Sequence, residues 1–196
     1  MRTAYAFFSG LVLGAVVMLM INPSRAEARR RELPPPPVAA EATTPSAAAL
    51  TIQLPSGLVM PVLGVDASQL HDNFYGVRSG GRMHEALDIM APRGTPVVAA
   101  VDGTIQKLFT SRAGGLTVYE FDVPAEKVYY YAHLDHYADG LTDGMRVTAG
   151  TVIGYVGTTG NAPPDAPHLH FAIELLTPEK RWWKGTPINP FPLLAH

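Results

Sequence analysis

A small, mainly β domain of antiparallel strands is predicted for residues 50–196, and three observations carry that expectation. Short runs rich in β-branched and aromatic residues recur between Gly and Pro. Turn signals such as Asp102-Gly103 and Ala149-Gly150 punctuate them. No long amphipathic helical pattern follows Ile21. Strands of this kind bury their apolar faces by forming a small barrel or sandwich. The runs are TPVVAAVDGTIQKLF (95–109), GLTVYEFDV (115–123), KVYYYAHL (127–134), TVIGYVG (151–157) and HLHFAIELL (168–176). A short helical turn is expected only at Ala67–Leu70.

Composition narrows the function. At 196 residues the chain holds one globular domain plus additional chain. It has no Cys, which excludes a disulfide framework, a thiolate zinc site and a cysteine nucleophile. A formal net charge of −2 argues against a nucleic-acid partner, which would call for a basic excess. The charge is uneven: residues 1–49 carry five basic and three acidic side chains, net +2, whereas residues 50–196 carry 10 and 14, net −4.

Residues 1–26 are expected to meet a membrane. Thr3 to Ser24 contains no charge, and Ala4–Ile21 is an 18-residue, predominantly apolar stretch, at the short end of a spanning helix. A retained transmembrane anchor is favoured, and the alternative is a cleaved signal peptide with Ser24-Arg25-Ala26 as its processing site. The arginines at 25, 29, 30 and 31 would by simple count hold the following chain in the cytoplasm. The chemistry argued below requires the opposite, a domain in the cell envelope outside the cytoplasmic membrane. Residues 27–49 read as a linker, Arg-rich and then LPPPPVAAEATTPSAAA. Its four prolines favour a stiff polyproline II spacer.

Four of the seven histidines fall at chemically meaningful spacings. His84 and Asp88 lie in HEALD, His133 in YYAHL, and His168 and His170 in HLH. Residues two apart on a strand share a face, so His168 and His170 project together while Leu169 and Phe171 turn away. Asp88 alternates with Leu87 and Ile89 in the same manner. Imidazole nitrogen and carboxylate oxygen suit zinc, which in catalytic sites keeps one position open for water. A neighbouring imidazole moves protons near neutral pH. His71, His136 and His196 are expected to be surface or structural residues. Of Tyr129, Tyr130 and Tyr131, at most one is expected to reach substrate, and Trp182-Trp183 reads as packing. Arg78 and Arg82 either meet a substrate carboxylate or belong to a solvated loop. GYVGTTGN (154–161) lacks the lysine of a phosphate loop and reads as a turn beside the cleft. NAPPDAP (161–167) reads as a rigid loop presenting His168. A repeated Val-Gly pattern also occurs in biotinyl and lipoyl carriers, but Lys107 lies within a strand run rather than on a hairpin tip.

At these residues the chain resembles the lysostaphin-type, or LytM, zinc metallopeptidases, which cut peptide cross-links in bacterial peptidoglycan. Four blocks coincide in order between about Asn73 and Ile173: FYGVRSGGRMHEALDIMAPRGTPVVAAVDGTI, YYYAHL, GMRVTAGTVIGYVGTTGN and PHLHFAI. The resemblance implies a β fold of the duplicated hybrid motif type with an open groove. It implies one zinc per chain, held by His84, Asp88 and His170, and catalytic roles for His133 and His168. The implied partners are peptidoglycan stem peptides, with cell-wall regulatory proteins as further candidates. Some LytM-type modules are non-catalytic and bind the wall or activate amidases; they typically lack zinc ligands, and this chain retains all three. One departure stands out. Ala86 occupies a position where the family usually has Gly, which matters only if the backbone there needs positive φ.

Overall fold

The alternating runs fold as strands, seen here in a computed structural model that describes residues 54–195. The expected anchor (1–26), the linker (27–49) and His196 lie outside the described residues. The strands are β1 (Leu87–Met90), β2 (Pro96–Val98), β3 (Gly103–Ser111), β4 (Gly115–Asp122), β5 (Lys127–Tyr137), β6 (Arg146–Val147), β7 (Val152–Val156), β8 (His168–Leu176) and β9 (Gly185–Ile188). A 3-10 turn covers Ala67–Gln69, where a helical turn was expected, and is capped by Asp66. A four-residue helix, α1 (Phe191–Leu194), follows the last strand.

All recorded pairings are antiparallel, in the order β1-β8-β5-β4-β3-β6. β7 joins the C-terminal end of β5 and pairs β2, while β9 extends the β1 edge of β8. The expected barrel is corrected here: among the described residues the path ends at β1 and β6 without closing. Four residues in β1 and two in β6 are too few to wrap one edge onto the other.

Directly opposed residues of an antiparallel pair share a face. One face of the sheet therefore carries Leu87, Ile89, Tyr129, Tyr131, Leu169, Phe171 and Ile173, all buried in one hydrophobic core. Leu54, Leu58, Met60, Val62, Val65 and Leu70, from the irregular chain before β1, complete that core. The opposite face carries Asp88, Tyr119, Tyr130 and His170, as the registers Asp88↔His170 and Tyr119↔Tyr130 require. That face floors the groove. Trp182 packs on Tyr119 and Phe109, as the packing reading expected, while Trp183 is exposed.

Candidate metal centre

Strand parity brings two of the candidate ligands together. Asp88 and His170 are register partners on β1 and β8, and Asp88 Oδ1 lies 3.1 Å from His170 Nδ1. His84 arrives from the loop before β1, which folds back through two backbone bonds, His84 N–H to Gly76 O and Glu85 N–H to Phe74 O. Its Nε2 lies 3.0 Å from Asp88 Oδ1 and 3.1 Å from His170 Nδ1. The turn that makes this possible places the positive φ on Glu85, at 56°, not on Ala86. Ala86 is fully buried with ordinary backbone, so the missing glycine does not disturb the loop.

The three donor atoms thus form a near-equilateral triangle with edges of 3.0–3.1 Å. Tetrahedral zinc with ligands at about 2.0–2.2 Å requires donor separations of about 3.3–3.6 Å, a few tenths of an ångström away. The protonation pattern agrees. His84 Nδ1 is 3.0 Å from the Asn73 carbonyl, which only accepts, so Nδ1 carries the hydrogen and a neutral ring turns the Nε2 lone pair inward. That lone pair faces a carboxylate oxygen, an arrangement a cation satisfies. Burial acts to raise the Asp88 pKa, but with no ion between them hydrogen bonds and positive charge on the His170 and His84 rings overcome it and hold the carboxylate well below its usual range, a role that a cation takes over when both rings are neutral. Arg78 binds the other oxygen, Oδ2, leaving Oδ1 for the centre. Burial lowers the His170 pKa, with Asp88 opposing, which eases loss of the proton that a metal ligand must give up.

His133 and His168 stand beside this triad. Their ring centroids are 5.0 Å apart, and His133 is 5.6 Å from His170. His168 Nε2 is 3.8 Å from Asp88 Oδ1. Both fix Nδ1 on a backbone carbonyl, His133 on Thr159 and His168 on Ala166, each at 2.8 Å. With Nδ1–H so engaged, a neutral ring at either position presents its Nε2 lone pair to the groove. Burial pushes the His133 pKa down to about 4.

His133 reaches the groove by an irregularity. Simple alternation from Tyr131 would send it into the core. Between the pairs Val118↔Tyr131 and Leu116↔Leu134, however, β5 carries two residues against one on β4, a β-bulge. His133 takes φ 62° there and turns out onto the groove face. Thr159 clamps the bulge: its Oγ1 accepts Leu116 N–H at 3.0 Å and donates to Leu134 O at 2.7 Å. Gly115, at φ +66°, leaves room for Thr159, which any side chain there would strike. The glycine-rich stretch is thus only in part the expected turn: 154–156 belong to β7, and the chain turns at 158–161 beside the cleft, where Thr159 also holds His133.

A groove of about 430 Å3 opens over these residues, bordered by Arg78, Arg82, Asn161, Pro163 and Ala166. Tyr130 is the one tyrosine of its triplet on the groove face, edge-on to His170 at 6.0 Å. His136 stacks on Tyr155 at 4.3 Å and is largely exposed, outside the groove, and His71 is exposed. Asn73 and Thr159 were not singled out in the sequence; both act chiefly through backbone carbonyls and hydrogen bonds that no spacing rule reveals.

The chain is similar to proteins of known family and fold. Residues 82–190 match the profile of peptidase family M23. The chain is 33% identical over 120 residues to an L-Ala–D-Glu endopeptidase of Bacillus subtilis, covering 59% of this chain and 35% of that protein. It is 36% identical over 110 residues to the DD-carboxypeptidase/endopeptidase Mpg of Neisseria meningitidis, covering 56% of this chain and 22% of that protein. The chain therefore spans only a minor part of these relatives. The catalytic domain of the antimicrobial peptidase lysostaphin from Staphylococcus simulans superposes with a TM-score of 0.51 at 32% identity, over 62% of this chain and 84% of that one.

Proposed function

This chain belongs to peptidase family M23, and from that premise we propose that it is a zinc-dependent endopeptidase hydrolysing peptide cross-links of bacterial peptidoglycan. The observation that carries the reading is the triangle of His84, Asp88 and His170 donor atoms with two further imidazoles facing the same groove. The names of the relatives support stem peptides as substrate. The uncharged stretch 3–24 supports a domain held in the cell envelope by residues 1–26 and spaced from the membrane by residues 27–49.

His84, Asp88 and His170 would hold the ion, one per chain. Zinc in such a site polarises the scissile carbonyl and acidifies water. The remaining work falls to the chain's own groups. Asn73 fixes the His84 ring, and Arg78 fixes the Asp88 carboxylate. His133 and His168 offer Nε2 as proton acceptors; one takes the proton that attacking water loses and returns it to the departing amine nitrogen. The other, having taken a proton from solvent at Nε2 before the step and keeping it throughout, would donate that N–H to the oxygen on which negative charge develops.

Full-length protein should bind about one zinc per chain and release muropeptide fragments from purified sacculi, read by mass spectrometry. His170→Ala should lose both the metal and the products. Full activity in His170→Ala, or digestion only when an amidase is added, would overturn the enzyme reading, the latter in favour of a non-catalytic wall module.

A further inference from the structure

Two arginines border the groove, and the structure separates them. Arg78 and Arg82 flank one tight turn, closed by Arg78 N–H to Arg82 O at 2.7 Å and by the Val77↔Met83 bridge. Arg78 is committed to Asp88. Arg82 lines the groove yet pairs with no carboxylate among the described residues. Six of the ten basic side chains of residues 50–196 form no ion pair with a carboxylate among the described residues, and Arg82 is the one of the six that lines the groove. Asp88 is the sole acidic residue of the groove lining, and its two oxygens already face Arg78 and the imidazoles. The groove is therefore a basic cleft in an acidic domain, with one unneutralised guanidinium on its wall. A guanidinium presents a planar fork of donors that matches a carboxylate.

We propose that Arg82 is a carboxylate-binding subsite that makes acidic stem peptides, rather than uncharged ones, the preferred occupants of this groove. The proposal rests on the peptidase reading of the neighbouring centre and specifies its substrate.

The test uses zinc-loaded full-length protein and two substrates: cross-linked muropeptide dimers with free stem carboxylates, and the same dimers amidated. Wild type should favour the acidic dimer by about tenfold, through KM, and Arg82→Gln should bring the pair within about twofold, with Arg82→Lys between. Circular dichroism and zinc content confirm that the variants are folded. A wild type indifferent to amidation overturns the proposal, as does an Arg82→Gln protein that keeps the full preference. If wild type cleaves neither dimer, the peptidase reading fails by itself. NMR titration with free and amidated stem tetrapeptides then decides Arg82 separately: tighter binding of the free acid that Arg82→Gln abolishes sustains it, and equal affinities overturn it. Should Arg82→Gln misfold, the wild-type contrast and Arg82→Lys carry the same decision.

Discussion

The two faces of the central sheet each hold a carboxyl group removed from bulk water, and the two groups behave in opposite ways. On the groove face, Asp88 is ion-paired with Arg78 and flanked by His84 and His170, whose hydrogen bonds and charge overcome the effect of burial and keep it ionised when no cation is bound. On the core face, Glu120 has no solvent exposure and one side-chain partner, Tyr131 Oη, which donates to Oε2 at 2.5 Å; Oε1 has none. Burial, only partly opposed by the Tyr131 hydroxyl, pushes the Glu120 pKa up to about 8. Burial acts in the same direction on both carboxyls. The number of donors and charges aimed at the carboxylate decides whether it stays ionised, and only the groove face supplies them.

The largest effect should come from emptying the groove-face cluster. Asp88→Asn keeps the shape but removes the charge that balances a dication and Arg78. Zinc affinity, measured by competition with a chromophoric chelator, should fall at least ~100-fold, and sacculus digestion should fall further. An Asp88→Asn protein that retains zinc with wild-type affinity would mean the carboxylate serves the loop rather than the ion. Arg78→Gln is the milder version. It frees Oδ2, and zinc affinity should drop about tenfold while the fold persists.

Next in size is the Thr159 clamp, which tests how His133 changes faces. Thr159→Val keeps the side-chain volume and removes both Oγ1 hydrogen bonds. We expect kcat to fall about 10- to 100-fold with zinc content and KM near wild type, because His133 alone is mispositioned. Thr159→Ser should restore most of the rate. Equal loss of zinc and rate would show that the clamp merely stabilises the sheet.

This residue also marks how far the sequence could be read. Asp88, His168 and His170 were legible, because strand alternation maps them onto one face; His84 comes from the loop before β1, past the positive φ of Glu85, and its role was legible only through the resemblance of its block to a known family. His133 was legible only through its resemblance to known blocks: alternation places it in the core, and the bulge that moves it depends on Thr159, 26 residues away in the chain. Arg78 and Arg82 were indistinguishable as letters, since only the turn geometry gives one of them to Asp88. β9 and α1 were not anticipated. β9 carries Pro187 on an edge strand and no apolar alternation, and α1 is only four residues with Pro192 in its first turn. Barrel closure failed as an expectation because strand patterning fixes faces, not the length of the edges that must meet.

The smallest effect at neutral pH concerns the core face, and its sign follows from the raised pKa. Unfolded, Glu120 titrates near 4.5; folded, near 8. The folded protein thus holds a proton that the unfolded chain has released, and this contribution to stability is complete below pH 4.5 and lost as pH rises through 8. Glu120→Gln cannot ionise and should abolish that slope. Its amide has no better partner at the Oε1 position than the acid has, so near pH 5 the two proteins should differ little, with wild type ahead. By pH 9 the variant should gain a relative advantage on the order of a few kcal/mol in thermal or urea unfolding. Zinc affinity should not respond at all, because Glu120 and Tyr131 point away from the groove. A stability gap that stays constant from pH 5 to pH 9 would show that the Glu120 carboxyl is ionised in the folded state, and that the core face supplies a counter-charge after all.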